Sequence, residues 1–263
     1  MFGAIAGDVI GSVYERDNVK HKAFPLFVPA SRFTDDTVLT AALAHSLLSG
    51  EDAGRTMRAF HARYPDAGFG PTFRAWIAAG EGAPAPRSTS NGAAMRIAPV
   101  GWAGDSLAVV LAEAQRLTVL THDHPEAVAG AQATAAAVFL ARSGASKAEI
   151  RAFVESRFGY DLSISLDAVR PSYTFDLSCV GTVPHAIRAF LEATGFEDAL
   201  RNAISIGGDS DTLACIAGAI AEAHFGGVPE HIAQPVWQRL DAPLRELTER
   251  FCARHGIRVP PAP

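Results

Sequence analysis

Cysteine is scarce in this chain. Only Cys179, Cys215 and Cys252 occur among 263 residues; their odd number, wide spacing and lack of any C-x-x-C pattern exclude a disulfide framework and a cysteine zinc site. They read as buried thiols of a cytosolic protein. Alternation of polar and apolar residues over strand-length stretches is almost missing, which excludes a sheet-based core. No apolar run approaches the ~18 residues that a membrane span requires, and the stretch from Met1 to Asp8 has no basic segment of the kind that opens a secretory leader. A cytoplasmic protein without membrane attachment is expected. The net charge of -5 is mild and contains no long run of one sign, so neither nucleic acid nor a membrane surface is indicated as a partner. A small molecule or a modified protein is the expected substrate, and a monomer the expected state.

Proline-rich sequence is equally limited. Ala83-Pro84-Ala85-Pro86 and the terminal Pro260 to Pro263 are too short to separate independent cores. With 48% apolar residues, the chain can bury one large core, so a single domain over 1–258 with a short Pro-rich tail, 259–263, is expected.

What is present is helical. Val38, Leu39, Ala42, Leu43 and Leu47 recur at three- and four-residue spacing, which predicts a helix over 36–48 stopped by Gly50. Pro71 suits a first helical position. Ala-rich stretches predict helices over 105–117 and 125–142, and Ser146 with Glu149 forms a capping-box pattern opening a helix through Phe158. Further helices are expected over 183–193, 196–205, 212–224 and 244–255. The first and third of these are apolar nearly all round, which places them at the centre of a bundle. The fold class is therefore all-α: a single large bundle of roughly ten or more helices.

Two short acidic clusters each run straight into such a stretch: Thr34-Asp35-Asp36-Thr37 and Asp209-Ser210-Asp211-Thr212. Capping a helix needs one Asp or Thr. It does not account for adjacent Asp35 and Asp36, nor for Asp209 and Asp211 repeating the device after Gly207-Gly208. Four carboxylates with threonine hydroxyls are hard oxygen donors, and bringing them into one cleft calls for Mg2+, Mn2+ or Ca2+ to neutralise them.

These clusters occur in order with three other segments: Gly7-Asp8-Val9-Ile10-Gly11-Ser12-Val13-Tyr14-Glu15, Ser90-Asn91-Gly92-Ala93-Ala94-Met95-Arg96 and Thr121-His122. Together they resemble the ADP-ribosylglycohydrolase family from Gly3 to about Gly227. The resemblance implies an all-α enzyme with two divalent cations, Mg2+ or alternatively Mn2+, that hydrolyses the bond between ADP-ribose and an acceptor, either a modified protein side chain or a small ADP-ribosyl conjugate. It makes Thr34, Asp35, Asp36, Asp209, Asp211 and Thr212 the metal ligands. Glu15 becomes the carboxylate that assists the attacking water, with Asp36 counted beside it as a catalytic residue.

Substrate-binding roles fall by the same resemblance to Glu15, Ser88, Asn91, Gly92, His122 and Thr182. Asn91-Gly92 is expected to open a buried helix whose free N–H groups face a diphosphate, with the Ser88 hydroxyl nearby. His122 would lie against adenine or a ribose. Cys179-Val180-Gly181-Thr182-Val183-Pro184 is similar to a segment of the pocket wall, and Tyr173 or Phe175 before it can stack on a base or simply cover core. Ser88 stands where the family's arginine-directed members carry an acid, and Ser90 where Gly is frequent. Arginine-linked ADP-ribose is slightly favoured as substrate all the same. Two alternatives stay open: a non-catalytic ADP-ribose-binding protein of the same fold, and, on the carboxylates alone, a two-metal phosphohydrolase.

Overall fold

The chain opens with a helix that its residue pattern does not predict. In a computed structural model describing residues 1–260, α1 (Phe2–Gly11) is buried at every position. The predicted helix over 36–48 becomes α2 (Asp35–Ser49), whose N-cap Thr34 accepts a hydrogen bond from the Asp36 amide. Next come α3 (Ala53–Arg63), also outside the predicted set, and α4 (Pro71–Ala78), with Pro71 in the first helical turn as expected. Two short helices, α5 (Gly92–Met95) and α6 (Ala98–Ala103), lead into α7 (Leu107–Thr118), which Ser106 caps.

The long Ala-rich α8 (Pro125–Arg142) has its predicted bounds. Both halves of the Ser146/Glu149 capping box form at the start of α9 (Lys147–Phe158). After the short α10 (Leu166–Val169), α11 (Cys179–Glu192) starts earlier than its apolar run suggests, because the Ser178 side chain caps it by accepting the Gly181 N–H. The last four are α12 (Phe196–Ile204), α13 (Ser210–Phe225), α14 (Glu230–Arg239) and α15 (Ala242–Arg254). Among the described residues the only strand-type pairing is an isolated bridge between Ser90 and Ser178.

Helix α13 is the axis of the bundle. It is buried from Ser210 to Glu222 and packs against α1, α8, α11 and α12. Phe2, Phe190 and Phe251 are fully buried in the core, each worth about 1.5–3 kcal/mol in apolar burial. Gly3, Gly7 and Gly11 share one face of α1 and lay its backbone directly on α13. A Cβ added at Gly7 would stand 2.0 Å from the Ala214 carbonyl oxygen, and one at Gly11 2.5 Å from the Asp211 Cα. Glycine is required there for close approach.

At the other end Ile257 and Val259 turn back onto the core; 261–263 of the expected tail lie outside the described residues. All three cysteines are free and buried. Among the described residues no helix is long and apolar enough to cross a membrane.

Candidate active site

The starts of α2 and α13 meet. Thr34, Asp35 and Asp36 from one, and Asp209, Asp211 and Thr212 from the other, line a single cleft of about 800 Å3. The first cluster is held from beneath by Asp8 of α1, a residue its sequence context does not single out. The Asp8 carboxylate is fully buried. Its Oδ2 accepts from the Thr34 N–H (2.9 Å), the Thr37 N–H (3.1 Å) and the Thr37 hydroxyl (2.5 Å), and its Oδ1 from the Thr34 hydroxyl (2.7 Å). Asp8 thereby satisfies amides at the open end of α2 that have no partner within the helix.

The second cluster is held differently. Asp209 is the N-cap of α13 but makes no side-chain cap bond. Its Oδ2 accepts instead from Asn91 Nδ2 at 2.6 Å, and that same amide nitrogen donates to the Thr182 hydroxyl at 3.0 Å. Both Asn91 side-chain protons are thus engaged inside the wall, and the Asn91 backbone N–H is given to the Leu177 carbonyl at 2.7 Å.

Electrostatics register how close the clusters lie. Burial raises the Asp36 carboxyl well above its ordinary range, and the charges of Asp8, Asp35 and Asp209 raise it further. Asp211 is raised in the same way by burial, then by Asp209 and Asp36, and Asp35 is pushed up to about 7 by burial and Asp8. The buried Arg96 guanidinium opposes this at Asp35; it lines the cleft, with its own pKa drawn down to about 10 by desolvation.

Among the described residues no group of three or more His, Cys, Asp and Glu side chains is arranged to hold a metal ion by itself. Any ion here would need threonine oxygens, water or ligand oxygens as well. The donors present suit a hard divalent cation. Asp36 Oδ2 is buried without a hydrogen-bond partner, an orphaned oxygen of the kind that a cation satisfies.

Glu15 lines the same cleft from the turn after α1, half-buried, and its pKa is raised by burial and then by Asp209. Among the described residues its carboxylate forms no ion pair within 4 Å with Arg16 or Lys20; the Lys20 ammonium goes to the carbonyls of Tyr173 (2.6 Å) and Ile206 instead. His122 also lines the cleft. Its Nε2 meets the Ser90 hydroxyl and its Nδ1 the Thr121 hydroxyl, both at 2.8 Å, and burial drives its pKa down to about 2. It is a neutral imidazole with both nitrogens engaged. Gly92 also lines the cleft at the start of α5. Phe175, 49% exposed, stands at the rim.

Two expected ligand contacts fall outside the cleft wall. Ser88 is not among the lining residues; its hydroxyl bonds to Ser90 Oγ at 3.0 Å and reaches the cleft only through it. Thr182 is fully buried behind the wall, accepting from Asn91 and donating to the Asp176 carbonyl at 3.1 Å. Its placement supports Asn91 rather than a ligand. Of the backbone N–H groups expected to face a diphosphate at the start of α5, that of Asn91 goes to the Leu177 carbonyl, that of Ala93 to Ser90 and that of Ala94 to Asn91, while the Asn91 side-chain donors point at Asp209 and Thr182. Arg96 did carry a signal in the sequence, a base inside an apolar segment that must find a buried partner; Asp8 did not, because the helix that holds it is itself not predicted.

Two carboxylate-bearing helix starts and a further acid line one cleft in this helical bundle, and comparison with known proteins sets the class: a hydrolase of glycosidic bonds. The chain belongs to the ADP-ribosylglycohydrolase family, whose model matches residues 1–258. It is 30% identical to the ADP-ribosylhydrolase ARH3 of Mus musculus over 87% of this chain and 84% of that protein. It is 28% identical to the ADP-ribosylarginine hydrolase Tri1 of Pseudomonas putida (strain GB-1), over 95% and 77% of the two chains. A solved structure described as an ADP-ribosylglycohydrolase-related protein complex superposes with a TM-score of 0.70 at 26% identity, covering 95% of this chain and 94% of that one.

Proposed function

We propose that this enzyme hydrolyses the bond between the anomeric carbon of ADP-ribose and an acceptor side chain or small conjugate, and that it does so with divalent cations, Mg2+ or Mn2+, held by Thr34, Asp35, Asp36, Asp209, Asp211 and Thr212. The observation that carries this reading is the convergence of both acidic helix starts and Glu15 on one cleft. When bound, the cations supply positive charge that orients the ribose hydroxyls and a water and offsets the carboxylates.

The chain's own residues do the rest. Asp8 keeps the Thr34–Thr37 turn rigid from below, and Asn91 keeps Asp209 aimed into the cleft. Glu15 accepts the proton of the attacking water as the new C–O bond forms at the anomeric carbon. The bond to the acceptor breaks, the electron pair leaves with the acceptor atom, and the proton passes to it. Its raised pKa brings the Glu15 carboxyl nearer to the range in which it can both take and return a proton. Neutral His122, Ser90 and the Gly92 backbone form the wall along which the nucleotide part extends, and Phe175 offers an aromatic face at the rim.

Arginine-linked ADP-ribose is the favoured substrate within this reading, in keeping with the name of the Pseudomonas relative. Ser88 provides no acid for the leaving group, and its place behind Ser90 makes it a minor determinant of that choice. Three buried free thiols accord with a reducing, cytoplasmic setting. The deciding experiment incubates the protein with arginine-, serine- and nucleic-acid-linked ADP-ribose, with and without Mg2+. Free ADP-ribose released from the arginine conjugate only with Mg2+ is the expected product. AMP with ribose phosphate would indicate a phosphohydrolase, and tight ADP-ribose binding without turnover a non-catalytic binder.

A further inference from the structure

The turn that carries Glu15 has little backbone structure of its own. Residues 12–16 follow the end of α1 as turns and lead into a stretch without regular structure. Tyr14 is anchored by its hydroxyl, which donates to the Pro25 carbonyl at 2.5 Å, and by its ring against Phe24; the carbonyls of Tyr14 and Glu15 are met by Asn18. Its Nδ2 lies within hydrogen-bond distance of the carbonyls of Tyr14 (2.6 Å), Glu15 (2.9 Å) and Gly208 (3.0 Å), which share its two protons, and its Oδ1 accepts the Gly208 N–H at 2.6 Å. One amide side chain therefore trades both kinds of hydrogen bond with Gly208 while holding the carbonyl of Glu15 itself.

The partner loop is shaped to receive it. Gly207 and Gly208 have φ of 73° and 77°, a left-handed region that side-chain-bearing residues rarely adopt. A Cβ on Gly207 would stand 3.0 Å from Asn18 Oδ1, and one on Gly208 2.5 Å from the Tyr173 ring. The next residue is Asp209. The Ser210 hydroxyl adds a bond to the Tyr14 carbonyl at 3.1 Å, and Lys20 ties the far side of the turn to the carbonyls of Tyr173 and Ile206. The contacts of Asn18 with Gly208, of Ser210 with Tyr14 and of Lys20 with Tyr173 and Ile206 join the Glu15 segment to the approach and start of α13 and to the Tyr173 segment.

We propose that Asn18 is a positioning residue that locks the Glu15 turn to the Gly207–Gly208 loop, so that Glu15 and Asp209 keep one fixed relation in the cleft. The inference rests on the role proposed for Glu15 above. Asn18 lies at the exposed rim, where neutral hydrogen bonds compete with water and add little to the stability of the fold. A misplaced acid base is far more consequential, because a displacement of about 1 Å at a reacting group can lower a rate by about 100-fold.

The test is Asn18→Ala, alone and combined with Glu15→Gln. Asn18→Ala is expected to lower kcat by about 10- to 100-fold while the melting temperature and ADP-ribose affinity stay close to wild type. In the Glu15→Gln background the same change is expected to lower kcat by less than about twofold, since a residue acting through Glu15 has nothing left to position. Multiplying losses in the double variant, or an unchanged kcat in Asn18→Ala, would overturn the proposal. Amide hydrogen exchange gives a readout independent of turnover: the Gly208 amide, which donates to Asn18 Oδ1, should exchange faster in Asn18→Ala, and unchanged protection would refute the lock. A wild type without hydrolase activity would remove the reading of function, and the exchange experiment would still decide whether Asn18 ties the two segments.

Discussion

At the first acidic helix start the protein sets a carboxylate beneath the backbone; at the second it uses amide side chains from neighbouring loops. Asp8 accepts four hydrogen bonds from Thr34 and Thr37 and is sealed from water, so the turn leading into α2 is fixed by a buried anion at a helix N-terminus. Asp209 has Asn91 on one side, and Asn18 holds the Gly208 backbone just before it. Carboxylates of the same kind thus rest on a rigid support in one place and on a jointed one in the other. The difference assigns distinct duties: the first cluster is a fixed reference, and the second is the side whose alignment depends on the walls of the cleft.

The largest effect should come from the carboxylates common to both sides of this comparison. Asp36→Asn and Asp211→Asn are each expected to abolish both Mg2+ binding by calorimetry and turnover. Full Mg2+-dependent activity in either variant would break the picture of one shared site. Next comes Glu15→Gln, which keeps shape and removes the basic carboxylate; kcat should fall by roughly 10²–10⁴ while ADP-ribose binding survives. Loss of binding without a separate rate defect would make Glu15 a holding residue instead.

The supports themselves should separate in thermal melts. Asp8→Asn replaces a charged acceptor by an amide facing four donors and should lower stability by about 3 kcal/mol. Asn91→Ala removes two bonds from the jointed side and should lower it by about 1–2 kcal/mol. Equal losses, or the reverse order, would mean that the two sides are not differently anchored. The smallest expected effect is a slope with pH. Asp35 ionises near 3.8 in the unfolded chain and at about 7 in the fold, because of burial and the Asp8 charge. Between those values the cation-free folded state binds the extra proton, so its stability should fall as pH rises through the window. Asp36 and Asp211, also raised, act in the same direction. Melting temperatures in chelator from pH 4 to pH 8 would show the slope, and Mg2+ should flatten it.

Much of this organisation is legible in the residues, and the exceptions have a common cause. The acidic clusters stand out because a helix start needs only one capping acid, and Asp35-Asp36 offers more. The capping box at Ser146, Pro71 and the long apolar faces act within a few residues of themselves, so local rules suffice for them. Helix α1 is hidden because Gly3, Gly7 and Gly11 weaken helix propensity and resemble turn punctuation. Their spacing of four carries the other message, a backbone face made for contact with a second helix, which becomes decisive only beside α13. Asp8 is hidden for the same reason, since its partners lie one helix away. Ser88 and Thr182 mark the converse limit: a segment can belong to the cleft wall while the particular side chain faces into the protein.

The glycine face of α1 has a consequence for how such a site can change. Asp8, which anchors the first cluster, and Asp211, which belongs to the second, sit on two helices whose separation is set at Gly7 and Gly11 by backbone contact. The gauge of the cleft is therefore written in residues that carry no side chain and touch no substrate. A single methyl group there would act as a shim between the helices, widening the gap between the carboxylate sets while leaving every one of them chemically intact.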